Sequence, residues 1–317
     1  MKKSSGLPEI DNGEIIDIHS HLGNMLYNGG GNVIGQKGVK PMSALDLGFI
    51  ASLVKFGKKP RELTGIARTL ATYFGRQRIA GATLENMQKA RVGTGIGKSC
   101  CLPVPPNVCF DDLKKAHHDD SRVIPFTGVD FDQIEGFEQR LRSDVSRGAK
   151  GMKIHPIIQN VSPIDQRMFD VLDEFAQYDL PILFHTGRVT YYFWEEKAKE
   201  NVDYGNMELL ERMIAGNRAR TKIILGHAGM SELDYVLAKM PQHPNVYVDT
   251  TFQHPLRIRS LIKAFGSERV LFGSDWPYGD MKLAVKCARL ALEQENDRQT
   301  TARVLRENAK NLLHLEK

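Results

Sequence analysis

Short runs of apolar and β-branched residues alternate along this chain with longer stretches whose apolar positions recur at helical spacing. The runs predict strands over 14–19, 98–103, 122–129, 149–155, 181–185, 222–227, 245–249 and 269–274. The stretches between them predict helices over 83–91, 111–118, 133–147, 164–178, 206–217, 231–239 and 256–265, with two more over 280–294 and 299–314 closing the chain. Strands alternating with helices predict a parallel sheet, and eight strands is the number that closes a (β/α)8 barrel. An open doubly wound sheet is the alternative. It would more often carry a Gly-rich phosphate loop after its first strand, and no such loop follows residue 19. No linker divides the chain, so residues 1–317 are read as one domain.

The segment 22–82 breaks this rhythm, because it separates the first strand from the next helix by far more than an ordinary βα loop. Gly29-Gly30-Gly31 reads as a flexible opening, and Ser43–Lys55 and Arg61–Arg78 read as two helices, with Ser43 an N-cap. The insertion leaves from the C-terminal end of the first strand. A lid or substrate wall is one expectation for it, and an accessory surface or homodimer contact is the other.

Four strands end in a residue that binds metals. The first runs Ile15-Ile16-Asp17-Ile18-His19-Ser20-His21, and residues two apart on a strand point the same way. His185 ends the run 182–185, His227 ends 223–227, and Asp275 follows the run 270–274. His19, His21, His185 and Asp275 make a set of three imidazoles and one carboxylate, which suits one divalent ion: zinc first, with manganese, iron or cobalt as alternatives. In a closed barrel the last strand neighbours the first, so Asp275 can reach the histidine pair. His227 lies between Gly226 and Ala228-Gly229. It could bind a second metal or move a proton to or from substrate or water.

Other strand ends offer substrate contacts. Lys153 and His155 have equal parity in Gly151-Met152-Lys153-Ile154-His155-Pro156. Lys153 could bind substrate, be carboxylated to bridge two metals, or sit in a buried ion pair; His155, nearer the mouth, is a substrate contact. Arg188 could hold a substrate carboxylate by a bidentate guanidinium. The aromatic run 191–194 could line a pocket, or it packs a loop or an oligomer contact, the packing reading being slightly preferred, and Asp249 and His254 are weaker candidates for orienting other groups.

Composition narrows the classes. Lys plus Arg total 43 against 38 Asp plus Glu, a formal charge of +5 without a basic stripe, so a nucleic-acid surface is not expected. No run spans a bilayer and no apolar signal region follows Lys2-Lys3, so a cytoplasmic protein without membrane partners is expected. Cys100, Cys101, Cys109 and Cys287 form no Cys-x-x-Cys pair, and Cys100 and Cys101 sit in an apolar strand as buried thiols.

These motifs resemble the amidohydrolase superfamily, and within it the amidohydrolase-related branch that includes enzymes of the aminocarboxymuconate semialdehyde decarboxylase type. The resemblance rests on Asp17-x-His19-x-His21, Gly151-x-Lys153-x-His155-Pro156, His185-Thr186-Gly187, Gly226-His227-Ala228-Gly229, Phe272-Gly273-Ser274-Asp275-Trp276-Pro277 and the closing run 307–313. It covers nearly the whole chain except 22–82. It implies a distorted (β/α)8 or TIM barrel, metal-ligand roles for His19, His21, His185 and Asp275, acid/base work for His227, and proton removal from water by Asp275. A phosphoesterase of the polymerase-and-histidinol-phosphatase type also opens with His-x-His. It typically ends with a late Asp-x-His, where this chain has Asp275-Trp276-Pro277. The expected activity is metal-dependent hydrolysis of a small amide, ester or lactone. The alternatives are non-oxidative decarboxylation of a small unsaturated or aromatic acid and, from another class, a catalytically silent metal-binding scaffold.

Overall fold

The computed structural model describes residues 14–41 and 66–315 of the chain. Its strands are β1 (Ile15–Ser20), β2 (Ile96–Cys101), β3 (Val123–Pro125), β4 (Thr127–Gly128), β5 (Met152–Ile154), β6 (Ile182–His185), β7 (Ile223–Gly226), β8 (Val246–Asp249) and β9 (Val270–Leu271). The α-helices are α1 (Ile66–Ala80), α2 (Leu84–Arg91), α3 (Phe110–Asp119), α4 (Phe137–Ser146), α5 (Gln166–Ala176), α6 (Met207–Gly216), α7 (Leu233–Lys239), α8 (Pro255–Phe265), α9 (Met281–Glu295), α10 (Arg298–Ala302) and α11 (Asn308–Leu312).

All the ladders are parallel, in the orders β1-β2-β3 and β4-β5-β6-β7-β8-β9. The two sheets are not one unbroken ladder, but backbone bonds cross both seams. At the first, one strand changes partner: Phe126 N donates to Cys101 O and Thr127 N to Gly151 O. The expected strand 122–129 is therefore two short ladders joined at Phe126. At the second, Ile18 N donates to Phe272 O, Asp275 N to His19 O and His21 N to Trp276 O, so the first and last strands adjoin. The fold is a distorted (β/α)8 barrel.

A small apolar cluster draws Ile16, Ile18, Cys100, Leu102, Ile124, Phe126, Leu183, Ile224 and Leu271 together inside the ring, joined by Ala309, Leu312 and Leu313 from the closing helix. The larger cluster lies between strands and helices. α5 illustrates how the sequence builds that layer. Asp165 caps it by accepting from Arg167 N, and Met168, Val171, Leu172 and Phe175 put a buried stripe on one face.

Most expected helices lie within a few residues of the observed ones. The pattern over 231–239 begins its α-helix only at Leu233, because Ala228, Gly229 and Met230 have positive φ and kink the chain. The pattern over 299–314 is broken by a π turn at Arg303–Glu307. The expected helix Ser43–Lys55, with its Ser43 cap, lies outside the described residues; of Arg61–Arg78 the described part is helical and extends to Ala80. The glycine run has a tighter reason than flexibility. Gly30 is buried, and a Cβ there would lie 1.7 Å from Asn24 O, so only glycine fits. No described helix is long and apolar enough to cross a membrane.

Candidate metal centre

The strand-end histidines and Asp275 meet at the C-terminal ends of the strands, buried together with Lys153, His155 and Asp249. β1 changes register against β2 between Asp17 and Ser20, an irregularity of the kind often found beside active sites. Asp17 itself does not face the cluster. It accepts from Ser274 N at 2.9 Å and Ser274 Oγ at 2.6 Å, stapling β1 to the segment that carries Asp275. Burial pushes its carboxyl up to about 7 against those bonds.

Hydrogen bonds fix which ring atoms carry lone pairs. His21 Nδ1 lies 3.0 Å from Leu102 O, which can only accept, so Nδ1 carries the proton and Nε2 the lone pair. His19 Nδ1 sits 2.6 Å from Asp249 Oδ2, which orients that ring the same way, and His19 Nε2 makes no hydrogen bond among the described residues. Both Nε2 atoms face Asp275 Oδ1, at 3.4 Å from His19 and 3.3 Å from His21. His19, His21 and Asp275 each offer a ligand atom within 4.8 Å of the others. Acceptors converging on acceptors repel unless a cation lies among them, so these residues fit a divalent ion.

His185 joins the cluster by a different contact. Its Nε2 faces Gly187 O at 3.0 Å, which leaves the lone pair on Nδ1. That atom lies 3.1 Å from His227 Nε2 and 3.4 Å from the Tyr191 hydroxyl. His227 Nδ1 lies 3.8 Å from Asp275 Oδ2 and 3.1 Å from Thr251 Oγ1. His155 stacks on His185 with centroids 4.1 Å apart, and its Nε2 lies 3.1 Å from the Tyr191 hydroxyl.

Desolvation keeps these rings neutral. Burial, aided by positive neighbours including Lys153, holds His19, His155, His185 and His227 well below the usual imidazole range and His21 at about 3. Neutral imidazoles are the form that binds metals. Lys153 is pushed down to about 8 by burial, although Asp275 and Asp249 pull it up. The backbone is strained here as well. His227, Ala228, Phe252 and Asp275 have φ of 65°, 48°, 60° and 55°, a conformation that costs roughly 1–3 kcal/mol per residue and clusters at functional sites. Gly226 lets the site close up, since a Cβ on it would come within 3.0 Å of His19 Cε1.

Several residues stand differently from the sequence reading. Arg188 is exposed, with Nε 3.1 Å from Asp203 Oδ1 and Nη1 3.3 Å from Glu232 Oε1. His254 caps α8 by accepting from Leu256 N. Asp249, a weak candidate in the sequence, orients His19 and also accepts from His227 N at 2.8 Å. Tyr191, for which packing was slightly preferred over pocket lining, touches two of the imidazoles. Tyr278 and Thr251 are additions that no local motif marks; the ring of Tyr278 lies edge-on to His21 with centroids 6.2 Å apart.

Known proteins share this frame. A 2,6-dihydroxybenzoate decarboxylase from Rhizobium superposes with a TM-score of 0.64 at 13% identity, covering 96% of this chain and 99% of that one. A 5-carboxyvanillate decarboxylase variant from Novosphingobium aromaticivorans, solved with bound manganese, gives 0.57 at 16% identity over 73% of this chain and 80% of that one. A probable 2-pyrone-4,6-dicarboxylic acid hydrolase from Acinetobacter baumannii, solved with citric acid bound, gives 0.57 at 10% identity over 95% and 100%. No curated protein sequence matches the chain. The amidohydrolase family model matches residues 109–315, which is most of the barrel and includes the ends of β6, β7 and β9; the chain belongs to that family of enzymes.

Proposed function

We propose that the protein is a metal-dependent hydrolase of a small amide, ester or lactone. His19, His21 and Asp275 would hold one divalent ion, with His185 as the fourth donor. When bound, that ion would polarise a carbonyl and make water acidic enough to attack at neutral pH. Zinc suits the donors first, and manganese is the ion in one structure of the same fold.

The observation that carries the reading is the position of the Asp275 carboxylate. One oxygen faces the lone pairs of His19 and His21, and the other lies 3.8 Å from His227 Nδ1. Asp275 would take the proton of the attacking water, and His227, whose Nδ1 lies 3.8 Å from Asp275 Oδ2, would receive that proton and pass it to the leaving group. Thr251 Oγ1, 3.1 Å from His227 Nδ1, orients the His227 ring without drawing on the lone pair that His185 would give the ion. α1 walls the site: the Arg78 guanidinium donates to Pro277 O at 3.1 Å and Tyr278 O at 2.8 Å.

Decarboxylation of a small unsaturated acid is the second reading. Phe252 stacked on His227 at 5.3 Å, with Tyr191 and Tyr278 nearby, gives the site flat walls that suit a planar acid. Two of the compared structures are decarboxylases by name. One assay separates the readings: metal-loaded enzyme against a panel of lactones, esters, amides and aromatic acids, following hydrolysis and CO2 release together. Hydrolysis without CO2 is expected. CO2 release without hydrolysis establishes the second reading, and silence across the panel contradicts both.

A further inference from the structure

Lys153 is a buried charge that the proposed chemistry leaves unused. It sits on β5 opposite Leu183 of β6, is 1% exposed, and its Nζ has no hydrogen-bond partner among the described residues. It lies among the imidazoles, its positive charge acting on His19, His21, His155, His185 and His227. A second donor stands in the same state. The Tyr278 hydroxyl is buried without a hydrogen-bond partner among the described residues, and its ring lies 6.2 Å from His21 and 6.1 Å from Tyr191. An ammonium taken out of water without an acceptor destabilises a fold, because nothing replaces its hydration. The charges of Asp275 and Asp249 reach Lys153, but no described residue gives its Nζ a hydrogen-bond acceptor, and a bound anion would bring one.

The chemistry of the two donors narrows that ligand. One compact cation and one hydroxyl match a group with two oxygens and one negative charge. The sequence pointed to Arg188 for this task, but Arg188 is engaged by Asp203 and Glu232 at the surface. We propose that Lys153, assisted by Tyr278, binds a carboxylate of the substrate beside the metal centre, so that the enzyme acts on small acids. This deepens the proposed function and rests on the same site being catalytic, but it holds for either reaction.

Calorimetric titration with matched pairs tests it: benzoate against benzamide and salicylate against salicylamide, on metal-loaded and on chelated protein. In the native protein the acids should bind at least tenfold more tightly than their amides, in both metal states. Lys153→Met should remove that preference while amide binding and metal content stay unchanged. Tyr278→Phe, which keeps the ring, should weaken acid binding several-fold without affecting the amides. Acids that bind no better than amides, or a Lys153→Met variant that keeps the preference, would overturn the assignment. If the binding pattern holds while every substrate is left intact, the hydrolase reading fails and the role of Lys153 stands.

Discussion

Two buried polar clusters in this barrel are built on opposite principles. Around Arg91 and Asp120 every strong donor has an acceptor. Arg91 Nη1 lies 2.9 Å from Asp120 Oδ2 and its Nε 3.2 Å from Ser99 Oγ, while Arg122 grips the same carboxylate at 2.8 and 2.9 Å and Gln88 adds a bond at 3.2 Å. Around His19, His21 and Asp275, lone pairs face one another at 3.3–3.4 Å, and the Lys153 ammonium has no hydrogen-bond acceptor among the described residues. The first cluster satisfies itself and so ties α2, β2 and the entry to β3 together. The second is complete only when a cation and an anion are added to it. Saturation marks a polar cluster as structural, and directed incompleteness marks it as functional.

The largest effect expected within this contrast falls on His227. His227→Asn should keep the metal and the melting temperature and lower kcat by roughly 10²–10⁴-fold, the range for a lost acid or base. Loss of metal would make His227 a ligand. Lost stability with near-normal turnover would put it with the structural residues. Metal content, melting and kcat should therefore be measured on one preparation.

The saturated cluster should respond in stability alone. Asp120→Ala strands Arg91, whose side chain is 2% exposed, and should cost about 3–5 kcal/mol in denaturant unfolding, the range for a broken buried pair. Burial alone would raise the Asp120 carboxyl, but the bonds from Arg122 and Gln88 and the charge of Arg91 outweigh it and hold it well below the usual range. A depressed carboxylate contributes stability above its unfolded value of 3.8 and loses it as pH falls through the folded one. The native protein should thus lose more stability on acidification below pH 3.8 than the variant does. Parallel curves would refute that linkage.

The smallest effect should come from the residue that orients a ligand without being one. Asp249→Asn loosens His19 and should weaken metal binding by about 10–100-fold, read by competition with a chelator. Unchanged affinity would mean that the 2.6 Å contact to His19 does not set its orientation.

What could be read from the sequence and what could not divide along similar lines. The strands were legible because apolar runs such as 182–184 and 223–225 are buried on both faces, and their terminal His and Asp follow directly in the chain. Asp249 was only faintly legible and Tyr278 not at all, because their partners lie far away: the bond from His19 to Asp249 spans 230 positions. Tyr191 looked like loop packing, since an aromatic run gives no sign of which ring turns inward; Trp194, three positions on, is 78% exposed. Arg188 shows the opposite case. A guanidinium next to a metal-bearing strand invites a substrate role, but Asp203 and Glu232 capture it, and neither belongs to a recognisable motif with it. Gly30 owes its identity to the backbone of Asn24, a contact within a loop that hydrophobic periodicity does not report.

The central claim is that lone pairs left facing one another are a seat for a cation, and elemental analysis tests it most directly. The purified native chain should carry about one divalent ion, as a single set of donors implies, and the His19→Ala/His21→Ala variant should carry none while remaining folded. A native chain that takes up no divalent ion on reconstitution, or a double variant with the native content, would contradict it.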